Sequence, residues 1–164
     1  MDCLNLGCGD RFHPAWTNVN FSSTGEDVIA HDLTQGIPFP DASFDVVYHS
    51  HLLEHFPKTA AEAFIKECCR VLRPQGVLRV VVPDLEQIVR TYLVALEKAN
   101  SGSQEWAANY EWILLEMYDQ MVRNSCGATE SYIPNWASFN LDTEPDGSVY
   151  KPDSLFMEAI KKSA

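Results

Sequence analysis

Cys3-Leu4-Asn5-Leu6-Gly7-Cys8-Gly9-Asp10 reads as a short apolar strand that breaks at once into Gly-Cys-Gly. Glycines directly after a buried strand let the backbone approach a ligand closely, because no Cβ intrudes and a positive φ costs little. The stretch therefore nominates a pocket of the nucleotide-cofactor kind. A tight turn alone would also use two such glycines, so the decision rests on the rest of the chain.

Outward from this stretch, apolar runs bounded by turn residues recur at 17–21, 44–49 and 77–82, interleaved with helical or loop segments, which is the pattern of an α/β parallel sheet. Val77-Leu78-Arg79-Val80-Val81-Val82 is rich in β-branched residues and stops at Pro83, as a central buried strand does. Phe64, Ile65, Cys68, Val71 and Leu72 repeat at helical spacing over 58–72, and Arg73-Pro74-Gln75-Gly76 supplies the stop. Leu85, Ile88, Val89, Tyr92 and Leu96 form a second helical stripe, and Trp106, Tyr110, Ile113, Leu114, Met117 and Met121 a third, separated by Asn100-Ser101-Gly102-Ser103. A closing strand is expected over 155–160. Only residues 7–16 separate the first two strands, at the lower limit for a crossover with a full helix, so the first helix is expected to be vestigial or a single turn. A ligand there would depend on loop N–H groups rather than on a helix N-terminus.

The 164 residues suit one domain, 1–164. With 12 basic and 23 acidic residues the formal charge is −11, which argues against the clustered Lys and Arg that a nucleic-acid partner requires. No apolar run approaches the ~18 residues of a membrane span, so a soluble, cytoplasmic protein is expected. Five cysteines at 3, 8, 68, 69 and 126 lack the spacing of a zinc ribbon or a disulfide framework and read as reduced thiols, Cys68 as a packed core residue. The segment His49-Ser50-His51-Leu52-Leu53-Glu54-His55 is one residue out of step with an HxHxDH metal motif, so no metal is expected.

In open α/β sheets ligands bind beyond the carboxyl ends of the strands, at the switch point. Those ends are Gly7-Cys8-Gly9, Asn20-Phe21, a short third segment at His31-Asp32-Leu33, His49-Ser50-His51 and Pro83-Asp84. Together with Ile37-Pro38-Phe39-Pro40-Asp41, Ser43-Phe44-Asp45-Val46-Val47-Tyr48, Leu53-Glu54-His55 and Arg70-Val71-Leu72-Arg73-Pro74-Gln75-Gly76, they resemble the class I S-adenosylmethionine-dependent methyltransferases of the type 11 group. The resemblance covers about residues 3–84, half of the chain, in the family's order and near its spacings.

It implies a Rossmann-like, doubly wound α/β sheet of seven strands in the order 3-2-1-4-5-7-6, with the last strand antiparallel and 155–160 as strand seven. It divides the chain into a cofactor-binding half, 1–84, and an acceptor side, 85–164. The implied cofactor is S-adenosyl-L-methionine and the implied partner a small-molecule methyl acceptor. Gly7, Cys8 and Gly9 would lie against the amino acid part of the cofactor. Asn20 stands where an acidic residue normally binds both ribose hydroxyls, which replaces a charged bidentate acceptor by an amide oxygen. Phe21 would pack on the adenosine, and Asp32 and Leu33 would meet the adenine amine and ring. His49 and Ser50 would flank the sulfonium and its methyl group.

For a hydroxyl or amine acceptor, a base near the methyl group takes the proton, and His49, His51 and Asp84 are the candidates by position. Asp84 also suits a cap for the helix beginning at Leu85, and His55 suits a packed structural histidine. With Met1 close to the first strand no N-terminal lid is expected, so acceptor contacts are expected beyond Pro83, with Trp106, Trp112 and Trp136 as aromatic candidates. No strand-length alternation shows between 125 and 154, so the strand-six region is expected to be abbreviated. Two other readings stand beside the enzyme: a methyltransferase-like binding module without turnover, and a nicotinamide-dependent oxidoreductase. The second lacks its third glycine, since Phe12 takes that place in Gly7-x-Gly9-x-x-Phe12.

Overall fold

The computed structural model describes residues 1–104, 106, 107, 110, 113, 139, 141 and 154–163. Among them the strands are β1 (Cys3–Leu6), β2 (Thr17–Asn20), β3 (Val28–Ala30), β4 (Phe44–Ser50), β5 (Leu72–Pro83) and β6 (Ser154–Ile160), and the helices are α1 (Lys58–Val71) and α2 (Leu85–Asn100). The strands form one sheet in the order β3-β2-β1-β4-β5-β6. The first five are parallel and β6 runs antiparallel to β5. This is the expected Rossmann-like α/β order, with β6 in the place of strand seven. The 125–153 stretch, where strand six was expected to be abbreviated, lies outside the described residues apart from Phe139 and Leu141.

The short β1–β2 connection carries turns and no helix, as its length requires. Two buried asparagines do the work a helix would otherwise do for its backbone. Asn5 Nδ2 donates to Arg11 O at 2.9 Å and to Asn18 Oδ1 at 3.3 Å, and Asn18 Nδ2 donates to His13 O and Trp16 O, each at 3.0 Å. Loop carbonyls that would be orphaned are thereby satisfied from the sheet.

Strand alternation divides the core into two layers. Leu4, Leu6, Val19, Val47, Leu78, Val80 and Val82 face α1, which contributes Phe64, Cys68 and Val71. Cys3, Val46, Tyr48, Val77 and Val81 face the other way, against Trp16 and Leu141. Cys3, Cys8, Cys68 and Cys69 are free thiols, and only Cys69 is exposed. Arg70 clamps the β3–β4 connection to α1 by donating to Ile37 O, Phe39 O, Asp41 Oδ1 and Glu67. Its hydrogen bonds hold the Glu67 carboxyl down at about 2.

The expected helix stop at 73–76 takes an unexpected form. The helix ends at Val71 and the chain enters β5 directly, with residues 73–76 looping out between the Leu72–Phe44 and Val77–Val46 pairs. Gly76 is required there, because a Cβ would lie 2.9 Å from Arg73 O and 3.0 Å from Asp45 O. At the far edge, Arg79 and Glu158 pair across β5 and β6 at 2.7 Å with side chains 9% and 2% exposed, which fixes the register of the closing strand. No helix among the described residues is long and apolar enough to cross a membrane.

Candidate functional site

β1 and β4 are neighbours whose connections leave in opposite directions along the sheet, and their carboxyl ends bound a cavity of about 410 Å³. That is the size range of small-molecule sites, at the switch point where such sheets bind ligands. Asn5 and Gly7 through Arg11 form one wall, Tyr48, Ser50 and His51 the other, and Leu141 also lines it.

The glycine turn is built for two purposes. Gly7, at φ +65°, packs so tightly that a Cβ would meet the Leu52 side chain at 2.9 Å. A Cβ on Gly9, at φ +52°, would meet nothing within 4 Å among the described residues, so it is the left-handed backbone and not packing against them that favours a glycine there. The Gly7 and Cys8 N–H groups both donate to Val19 O, at 2.8 and 3.2 Å, and serve the loop rather than a ligand. The N–H groups of Gly9 and Asp10 have no partner among the described residues. Burial pushes the Cys8 thiol up to about 11, so it is a neutral thiol in this wall.

On the opposite wall, His51 follows β4 with φ +49°, a strained conformation for a residue with a side chain, and its N–H donates to Val81 O at 2.9 Å. His51 Nδ1 lies 3.3 Å from Glu54 Oε1, and Nε2 lies 2.7 Å from Ser154 Oγ. Glu54 is 6% exposed. Burial works to raise its carboxyl, yet the hydrogen bond from His51, a backbone hydrogen bond and the neighbouring His51 and His55 hold it below the ordinary glutamate value.

Of the residues expected at a site, Gly7, Cys8, Gly9, Ser50 and His51 meet around this cavity. His49 does not. Strand alternation turns its ring to the α1 side, where it is 0% exposed and meets Phe64 edge-on at a ring separation of 5.2 Å. Neither ring nitrogen has a hydrogen-bond partner among the described residues, and burial drives the imidazole down to about 4. The ring is not in the lining of the β1–β4 cavity, where both roles expected of it would have placed it. Leu33, 8% exposed, packs in the core layer on the α1 side.

Asp84 caps α2, its Oδ1 accepting from Gln87 N at 3.2 Å, and is not part of the cavity wall. Asn20, Phe21 and Asp32 stand at or just beyond the carboxyl ends of β2 and β3, outside that wall. Asn20 Nδ2 donates to Ser22 O at 3.1 Å. Phe21 is 77% exposed. Asp32 Oδ1 accepts from Thr34 Oγ1 at 2.7 Å and Thr34 N at 2.9 Å, bonds that hold its carboxyl below the ordinary aspartate value. His55, expected to be packed, is exposed, and Glu54 takes the buried place instead. Trp106 has Lys98 Nζ 3.9 Å from its ring centroid, whereas Trp112 and Trp136 lie outside the described residues.

Sequence reasoning missed Asn5, Tyr48, Glu54 and Ser154. A polar residue inside an otherwise apolar strand marked Asn5, and period-two alternation from Ser50 marked Tyr48. Ser154 is 103 residues from His51 and left no local signal.

Residues 10–80 match a family model described as a methyltransferase domain. Over 100 residues the chain is 45% identical to a protein of Mycolicibacterium smegmatis described as a probable S-adenosylmethionine-dependent methyltransferase, covering 51% of this chain and 38% of that one. A protein of Mycobacterium tuberculosis with the same description is 46% identical over 48 residues, 29% of this chain and 17% of that one. The chain thus spans less than half the length of these curated relatives. Among solved structures, an S-adenosylmethionine-dependent methyltransferase from Mesorhizobium loti aligns with a TM-score of 0.42 and 17% identity, covering 53% of this chain and 49% of that one.

Proposed function

We propose, from the premise that this chain belongs to the class I S-adenosylmethionine-dependent methyltransferases, that it transfers a methyl group to a small-molecule acceptor. The observation that carries the reading is the cavity at the β1–β4 switch point, walled by a left-handed Gly9 that packing alone does not explain. The residues fit the cofactor: a side chain at Gly9 would project into open space at the wall, and the Gly9 and Asp10 N–H groups are donors for a carboxylate. S-adenosylmethionine supplies a methyl group already activated by its sulfonium.

The chain's own part is then alignment and exclusion of water. Gly7, Cys8 and Gly9 would hold the amino acid end, and Ser50 and His51 would flank the methyl group. Asn20 would offer its amide oxygen to the ribose, Phe21 its exposed ring to the adenine, and Asp32 its carboxylate to the adenine amine. His51 is the general base of this scheme. Residues 1–84 bind the cofactor and 85–164 the acceptor, and the four free thiols suit a cytoplasmic location.

Asn20 favours one second reading, a module that binds the cofactor without turnover, because the charged acceptor for the ribose is missing. Calorimetric titration with S-adenosylmethionine and S-adenosylhomocysteine, followed by tritiated-methyl transfer to a panel of hydroxyl and amine acceptors, separates the readings. Binding with transfer supports the enzyme. Binding without transfer to any acceptor supports the module, and absence of binding overturns both.

A further inference from the structure

We propose that Glu54, His51 and Ser154 form a hydrogen-bonded series that presets His51 to take a proton from a hydroxyl acceptor, with Glu54 as its positioning residue. This rests on the methyl-transfer reading above. The polarity of the series follows from its atoms. An ionised carboxylate only accepts, so the contact of Glu54 Oε1 with His51 Nδ1 at 3.3 Å places the imidazole proton on Nδ1. The lone pair of the neutral ring is then at Nε2, and Ser154 Oγ, 2.7 Å away, donates to it.

Three separate pieces of chain make this arrangement. His51 follows β4, Glu54 belongs to a 3₁₀ turn, Leu53–His55, and Ser154 opens β6. Glu54 is 6% exposed, and its Oε2 has no hydrogen-bond partner among the described residues. His51 sits at φ +49°. A buried carboxylate left half unsatisfied beside a strained histidine stabilises nothing by itself, and such features persist where a site needs them. The same polarity, carboxylate to Nδ1–H and Nε2 to a hydroxyl, orients the histidine in acyl-transfer triads. Here His51 itself lines the cavity and Ser154 does not, so the structure assigns the histidine rather than the serine to the reaction.

The Ser154 hydroxyl shows which chemistry Nε2 accommodates: a neutral O–H donor. In the transfer, the acceptor hydroxyl replaces the Ser154 hydroxyl as donor to the Nε2 lone pair and gives its proton there while an oxygen lone pair bonds to the methyl carbon. The carbon–sulfur bond breaks, its electron pair stays on sulfur, and the positive charge of the sulfonium passes to the imidazolium. The Glu54 carboxylate stabilises that imidazolium through Nδ1–H.

Long-range proton–nitrogen NMR of the full chain labelled with 15N-histidine, without ligand, tests the series directly. The expected wild-type result is His51 with a protonated Nδ1 and an unprotonated Nε2. Glu54→Gln lowers the ratio of the Nδ1–H to the Nε2–H tautomer about tenfold, because the charged acceptor is lost. Ser154→Ala keeps the tautomer and moves only the Nε2 resonance. An Nε2–H tautomer in the wild-type chain, an unchanged ratio in Glu54→Gln, or covalent labelling of Ser154 by a fluorophosphonate would overturn the proposal. If Glu54→Gln does not fold, the wild-type tautomer and Ser154→Ala still decide it. Titration of the same sample with S-adenosylhomocysteine keeps the two readings apart. Absent binding with an intact tautomer contradicts methyl transfer, and the wrong tautomer with intact binding contradicts the series alone.

Discussion

His49 and Ser50 are consecutive in β4, yet they look out on different surroundings. His49 joins a closed apolar layer sealed by α1, where its ring nitrogens find no partner among the described residues. Ser50 looks onto the opposite layer, which tolerates Asn5, Asn18, Tyr48 and Arg79 and opens into the cavity. Both faces bury the sheet, but only one keeps polar groups near a space that a ligand can enter. The difference teaches that in this fold a motif residue's chemistry depends on the parity of its position in the strand as much as on its type.

The largest test of this contrast lies on the closed face. Phe64 stacks on Phe56 at 4.9 Å and meets His49 edge-on, so Phe64→Ala is expected to cost about 4 kcal/mol in urea unfolding. Cofactor affinity of the folded protein should stay within about twofold, because that layer does not line the β1–β4 cavity. A larger loss of affinity would break the division between the faces.

Next comes the pH dependence of His49. Its folded value, about 4, lies below the 6.5 of an unburied histidine, so the unfolded chain takes up the proton first. The stability contribution is fully present above pH 6.5 and is lost as pH falls toward 4, a loss of about 3 kcal/mol. His49→Phe is expected to flatten that part of the denaturation profile while remaining folded at neutral pH. An unchanged acid limb would show that the ring is not sealed as described.

The smallest effect belongs to the open end of the sheet. Asn20→Asp restores a charged acceptor beyond the β2 terminus and is expected to tighten S-adenosylmethionine binding about tenfold, roughly 1.4 kcal/mol, by calorimetry. Equal affinity would place the ribose elsewhere.

Much of this frame was legible from local sequence. The first strand, the closing strand and the reduced first crossover follow from apolar runs and from the 7–16 spacing, whereas the order of the parallel strands followed only from the resemblance to a known family. β3 was legible only through its end at His31-Asp32-Leu33, because Val28–Ala30 is three residues long and too short to show periodicity. At the site, the glycine turn and His51 were visible as strand ends. His49 misled because nothing in the composition of His49-Ser50-His51 reveals which face each residue takes until the strand is registered against β1 and β5. Glu54 was concealed for a related reason: a charged residue in a polar turn gives no hint of being 6% exposed. Ser154 reaches His51 only through the antiparallel pairing of β6 with β5, which no local pattern encodes.

Calorimetric titration of S-adenosylhomocysteine into the wild-type chain and into Gly9→Val tests the central claim, that the β1–β4 cavity is the cofactor site, most directly. The account predicts one site in the wild-type chain and an affinity at least about tenfold weaker in Gly9→Val, a variant that stays folded with a modest stability loss of about 1–2 kcal/mol from the left-handed backbone. Equal affinity in the two proteins, or no binding to the wild-type chain, would contradict it.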